Sequence, residues 1–171
     1  YFNPLKQLLN IGDVIIAVTV TGTQDVPTGV GDTTLATVVS NERITSSESS
    51  EEIREIELEI DWPAFESDLG QTIGVLAPGS REFGKEHHFR LYSVADLPAR
   101  GESGLPRIRI CVRRCNYIDE YSGEEYPGVA SNFLCDLASG DHLTVTGPYE
   151  AAFELPDEPD TTLILIGAGT G

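Results

Sequence analysis

Arg90-Leu91-Tyr92-Ser93 places three side chains of useful chemistry within four residues. On a strand, side chains alternate between faces, so Arg90 and Tyr92 share one side and Ser93 takes the other. A forked guanidinium matches a diphosphate. An aromatic ring two residues on can cover a flat heterocycle. A hydroxyl beside that ring can hydrogen-bond a ring nitrogen. Taken alone the pattern is short, and an ordinary exposed arginine next to a sheet-face tyrosine would look the same.

Two other segments carry related chemistry. Gly128-Val129-Ala130-Ser131-Asn132 reads as a flexible turn leading into a helix. A helix start has free N–H groups and a partial positive charge, so it suits a diphosphate, although a routine capped helix has the same signature. Gly167-Ala168-Gly169-Thr170-Gly171 is a glycine turn after an apolar strand, and Gly-x-Gly by itself is weak evidence for a nucleotide. His87-His88 lacks the carboxylate or cysteine pattern of a metal site, and no histidine lies near Cys111 and Cys115. Trp62, before Pro63, reads as packing in a loop.

The elements that must position these residues are mostly short strands. Leu35 to Ile44 reads as the first barrel strand, followed by the polar loop Ser46 to Glu52. Ile56-Glu57-Leu58-Glu59-Ile60 alternates strictly, which predicts a half-buried strand with its acids in water. Gly70 to Leu76, Phe89 to Ala95 and Arg107 to Arg113 read as strands, with Pro98 to Pro106 as a loop. One helix is expected over Ser131 to Leu137, capped by Ser131 and ended by Ser139-Gly140-Asp141. His142 to Thr146 reads as the closing strand. Such a series indicates a closed or nearly closed antiparallel barrel. The wholly apolar Leu163 to Ile166 differs, and would open a parallel nucleotide-binding sheet. Near the start, Val14 to Val20 reads as a strand and Thr21 to Asp32 as loop or linker. Residues 1–33 are thus either the end of a preceding domain or an extra strand on the barrel.

Composition sets the wider frame. The 171 residues carry a formal charge of −17, which argues against nucleic acid and anionic membranes as partners. One domain is the default at this length. Three cysteines make a disulfide framework unexpected and suit reduced thiols in a cytoplasmic protein. No apolar run reaches the roughly 18 residues of a membrane span. The absence of methionine and the glycine-terminated strand at the end read as a fragment of a longer chain.

Arg90 to Ser93, Cys111-Val112-Arg113-Arg114, Gly128 to Asp136, Thr146-Gly147-Pro148 and Gly167 to Gly171 occur in an order and spacing that resembles the FAD-binding domain of plant-type ferredoxin–NADP+ reductases. The resemblance runs from about Thr34 to the last residue. It implies an all-β antiparallel Greek-key barrel with one short helix over residues 34–160. Residues 161–171 would then begin a truncated α/β NADP(H)-binding domain, with 1–33 an extension or linker. It also implies that Arg90 pairs with the FAD diphosphate, in a stretch that includes Leu91. Tyr92 would stack on the isoalloxazine, and Ser93 would approach N5, where hydride arrives. The family's backbone and hydroxyl contacts fall on Gly128, Val129, Ala130 and Ser131. Many members have cysteine where this chain has Ala130, a change a backbone contact survives.

Further implied contacts are Arg113 to the nucleotide, Cys111 and Val112 on the flavin side of their strand, and Tyr117 on adenine. Thr170 falls where the family's two domains meet. Gly128 to Asn132 and the His-His pair are also similar to the reductase component of the benzoyl-CoA epoxidation pathway. The activity implied is hydride transfer from NADPH to FAD and single electrons to a ferredoxin-type iron–sulfur protein or domain, in the same chain or another, or the reverse. A non-catalytic flavin relay subunit is the second reading, and an interaction module without flavin the third.

Overall fold

In the computed structural model the described residues are 33–68, 71–79 and 87–149. Val14 to Val20, the strand at 163–166 and Thr170 therefore lie outside the described residues. So does the domain boundary expected at 160/161.

Nine strands and one helix are described. They are β1 (Thr34–Arg43), β2 (Ile53–Ile60), β3 (Thr72–Pro78), β4 (His87–Ser93), β5 (Ala99–Arg100), β6 (Pro106–Arg113), β7 (Asn116–Ile118), β8 (Glu125–Pro127), α1 (Val129–Asp136) and β9 (His142–Tyr149). Seven strands form one antiparallel sheet in the order β4-β3-β9-β1-β2-β6-β5. β2 pairs with β6 rather than with β3, and β9 returns to lie between β3 and β1, which is a Greek-key arrangement. Just past β4 the chain swings back to β6. Val94 bridges Ile110, and the Ala95 N–H donates to the Arg109 carbonyl at 2.8 Å. The sheet is thereby drawn round into a barrel, as the strand series predicts.

The alternating sequences explain the interior. Ile56, Leu58 and Ile60 of β2 face Ile108, Ile110 and Val112 of β6, Ile73 and Val75 of β3, and Leu143 and Val145 of β9, all buried in one cluster. Each such side chain contributes roughly 1.5–3 kcal/mol on burial. The intervening acids are not simply in water, as their alternation had suggested. Glu59 accepts from Arg107 at 2.9 Å, and Arg109 reaches Asp96 at 3.1 Å and Glu57 at 3.8 Å. Those arginines alternate on β6 in step with the glutamates on β2, so pairing the two strands brings opposite charges together.

Two local expectations need correction. The stretch from Pro98 to Pro106 is not all loop, because Ala99–Arg100 pairs with the start of β6. The helix begins at Val129 with Gly128 as its N-cap, and no side chain caps it. Ser131 cannot cap because its Oγ accepts the Cys115 N–H at 3.1 Å, pinning the helix to the chain that leaves β6. The C-terminal carbonyls are met instead by Asn41 of β1, whose Nδ2 donates to the Leu134 and Leu137 carbonyls at 2.9 and 2.7 Å.

Candidate functional site

β4 and the first turn of α1 are the two elements that sequence chemistry singles out, and α1 packs on β3, β4 and β6. In β4 the register sets the faces. Arg90 lies opposite Val75 and Tyr92 opposite Ile73, both core-facing, whereas Ser93 lies opposite Thr72 on the other side. Leu91 shares the Ser93 side, opposite Gly74.

Arg90 is half-buried, and its one hydrogen bond among the described residues runs from Nη1 to the carbonyl of its neighbour Phe89 at 2.8 Å. Burial pulls its pKa down, and among the described residues only Tyr92 opposes this. Every other half-buried arginine among the described residues has a carboxylate: Arg54 and Arg114 have Glu52, Arg107 has Glu59, Arg109 has Asp96 and Arg113 has Glu51. A partly desolvated guanidinium without an anion is costly, so Arg90 is where an anionic ligand would gain most.

Tyr92 is only 5% exposed. Burial, with Cys135 of α1 next in importance, raises its phenol well above the ordinary tyrosine range. The open stacking face expected from the sequence is therefore covered in this structure, because the residue sits opposite Ile73 and against α1. Ser93 is half-buried.

At α1, Gly128 has an extended backbone, and its N–H donates to the Cys115 carbonyl at 2.8 Å. A Cβ there would meet that carbonyl at 2.8 Å and Ser131 Oγ at 3.1 Å, so the close approach requires glycine. With no capping side chain among the described residues, the first-turn N–H groups of Val129, Ala130 and Ser131 could meet an anion. Ala130 is buried, so only its backbone could serve a ligand, as the resemblance implies.

The β6 residues divide. Val112 is buried in the core, whereas Cys111 and Arg113 face outward beside β2. Cys111 and Val112 thus cannot both present side chains to one ligand, since neighbours on a strand point apart. Burial raises the Cys111 thiol, with Glu55 adding to it, and burial pushes Cys135 up to about 11. Arg113 pairs with Glu51 at 3.4 Å. Tyr117 lies on a two-stranded ribbon, β7–β8, that sequence reading missed. It is 55% exposed and stacks on Tyr126 with ring centroids 5.6 Å apart. The signal was available as Tyr117 and Tyr126 flanking a Ser122-Gly123 turn.

A charged network also escaped the sequence reading. Glu52 accepts from Arg54 at 2.6 Å and Arg114 at 2.9 Å, and these bonds hold its pKa below the ordinary glutamate value. A carboxyl depressed on folding adds stability that is present above the unfolded pKa, about 4.3, and is lost as pH falls through the lower folded value. We expect the melting temperature to drop as pH is lowered from about 5 towards 3. Glu52→Gln should flatten that drop, and a pH profile identical to wild type would refute the assignment.

No protein-family model matches the chain. Curated relatives do. The leaf isozyme 1 ferredoxin–NADP reductase of Arabidopsis thaliana chloroplasts is 44% identical over 102 residues, covering 60% of this chain and 28% of the relative. The ferredoxin–NADP reductase of Thermosynechococcus vestitus is 34% identical over 134 residues, covering 78% of this chain and 35% of the relative. The chain thus spans about a third of the length of the curated relatives it matches. The narrower likeness to the benzoyl-CoA epoxidase reductase finds no counterpart in these relatives. Among solved structures, a ferredoxin-NADP+ reductase mutant from Plasmodium falciparum in complex with 2'P-AMP superposes with a TM-score of 0.54 at 18% identity, over 75% of this chain and 43% of that one. That likeness concerns the fold, and it agrees with the Greek-key barrel. Sequence identity and architecture point the same way: over the part it spans, the chain is similar to the ferredoxin–NADP reductases.

Proposed function

We propose that this chain is the flavin-binding part of an oxidoreductase that passes electrons between NADPH and a ferredoxin-type iron–sulfur partner. The observation that carries the reading is Arg90, a half-buried guanidinium without a carboxylate among the described residues, on a strand against which α1 packs, together with the first turn of α1, which no side chain caps. Both are donors in need of an anion, and a diphosphate would satisfy both.

In this reading Arg90 and the N–H groups of Val129, Ala130 and Ser131 hold the FAD diphosphate. Gly128 permits the approach, and Ser131 keeps the helix start in place. Tyr117 offers the ring face that Tyr126 leaves open to adenine. Ser93 and Tyr92, at the end of β4, would be the residues beside the redox-active ring, Ser93 as a hydrogen-bond donor to N5 and Tyr92 through the small part of its surface that Ile73 and α1 leave uncovered. Leu91, Cys111, Arg113 and the backbone of Val112 would border the site, with Thr170 as the contact towards nicotinamide. FAD supplies the hydride and single-electron chemistry when bound, and the residues above bind and orient it. The thiols, all free, suit a reducing compartment such as the cytoplasm. Among the described residues no helix is long and apolar enough to cross a membrane.

The test is reconstitution with FAD. We expect a yellow protein with a stoichiometry near one after gel filtration. Selective uptake of FMN, or no flavin at all, would overturn the reading and favour an interaction module. Flavin bound but not reduced by NADPH in the complete parent protein would favour a relay subunit.

The charge of −17 bears on the iron–sulfur partner. Like charges steer proteins apart, so a strongly acidic ferredoxin should dock poorly on this chain. We expect weak binding that strengthens as salt rises. Micromolar affinity at low salt that weakens with added salt would contradict this.

A further inference from the structure

Helix α1 has only eight residues, too few to hold its own direction in water. Its direction comes from side chains on the barrel, and Arg114 is the centre of them. Arg114 Nε donates to Glu52 Oε2 at 2.9 Å, Nη1 to Asn132 Oδ1 at 2.9 Å and Nη2 to Asp136 Oδ1 at 2.7 Å. One guanidinium thus grips α1 in its first turn and at its last residue, and ties both to the loop before β2. Asn132 is held from its other end too, as its Nδ2 donates to the Cys115 carbonyl at 3.0 Å and the Gly128 carbonyl at 2.9 Å. Glu52 is fixed by Arg54, which donates onward to the Asn41 carbonyl at 3.2 Å, and Asn41 closes the circuit on the Leu134 and Leu137 carbonyls. Arg114 and Glu52 side chains are each 23% exposed, so this is a held network and not a loose surface pair.

We propose that Arg114 is a positioning residue for the flavin site. It sets the angle at which the start of α1 meets the FAD diphosphate, and it does so without touching the ligand. The inference rests on the flavin reading given above. Its force comes from geometry: three acceptors lie around one planar fork, an arrangement a lysine ammonium cannot reproduce.

The experiment compares the 171-residue chain with its Arg114→Lys variant, which keeps the charge. Three readouts are taken: FAD affinity by flavin fluorescence, the 31P spectrum of bound FAD, and the visible flavin band. We expect Arg114→Lys to bind FAD about 10-fold more weakly, the loss of one well-placed ionic hydrogen bond. The diphosphate resonances should move towards those of free FAD while the visible band stays as in wild type. Unchanged affinity and 31P spectrum would overturn the proposal. So would a visible band that shifts together with the diphosphate, because that marks general loosening. Should circular dichroism show that Arg114→Lys does not fold, Asp136→Ala removes only the outer contact and is read the same way, with a loss of about 2- to 3-fold expected. No FAD binding by the wild type would sink the flavin reading and this inference with it. Wild-type binding with an unaffected folded variant would sink this inference alone.

Discussion

Arg90→Ala is expected to weaken FAD binding by about 10- to 150-fold while leaving the fold as stable as before. The first figure follows from removing a charge-assisted, two-pronged contact worth roughly 1.5–3 kcal/mol. The second follows from what Arg90 does in the protein alone. Its side chain is half-buried and, among the described residues, donates only to the Phe89 carbonyl of its own strand and meets no carboxylate. Partial burial of an uncompensated charge opposes folding, so truncation should keep or slightly raise the melting temperature. The two readouts moving in opposite directions is the signature of a ligand-binding residue. Arg107→Ala is the contrast, because it leaves Glu59 unpaired and should cost some stability with no loss of flavin. Equal flavin affinity in wild type and Arg90→Ala, by titration at one ionic strength, would place the diphosphate elsewhere.

The sequence was legible where one physical rule decides the outcome. Ile56-Glu57-Leu58-Glu59-Ile60 had to alternate about a sheet, and Ile56, Leu58 and Ile60 are fully buried. Arg90 and Tyr92 had to share a face, and their partners Val75 and Ile73 do. It was less legible where side chains from distant segments compete for one group. Ser131 has the composition of a cap, yet the Cys115 N–H sixteen residues earlier in the chain takes its hydroxyl. The burial of Tyr92 depends on Cys135 and Ile73, neither of which its own strand reveals. The Arg114 network joins Asn41, Glu52, Arg54, Asn132 and Asp136. No local pattern marks such a set. Its one visible trace is the abundance of arginine opposite glutamate on two strands not adjacent in sequence.

Gly74→Ala should be the most destabilising single-methyl addition in the barrel, and the reason links the fold to the site. Gly74 sits mid-strand in β3, between β4 and β9. A Cβ there would lie 2.3 Å from Phe89 Cε2 and 2.4 Å from Thr146 Oγ1. Neither neighbour yields easily. Phe89 is 8% exposed and Thr146 1%, and the Thr146 hydroxyl is engaged with the Tyr149 hydroxyl at 2.6 Å. Overpacking of this kind costs about 1–3 kcal/mol and sometimes more, which for a domain of this size is a fall of roughly 5–15 °C in melting temperature. The ring that must move belongs to the residue whose carbonyl receives Arg90 Nη1. Flavin affinity should therefore fall with stability, unlike the outcome for Arg90→Ala. Phe89→Leu in the Gly74→Ala background removes the closest atoms and should recover part of both losses, a non-additive result expected only for residues in contact. A melting temperature within 1–2 °C of wild type for Gly74→Ala would show that β3 and β4 can part without cost. The close packing of Gly74 under Phe89 would then have no part in holding Arg90 in place.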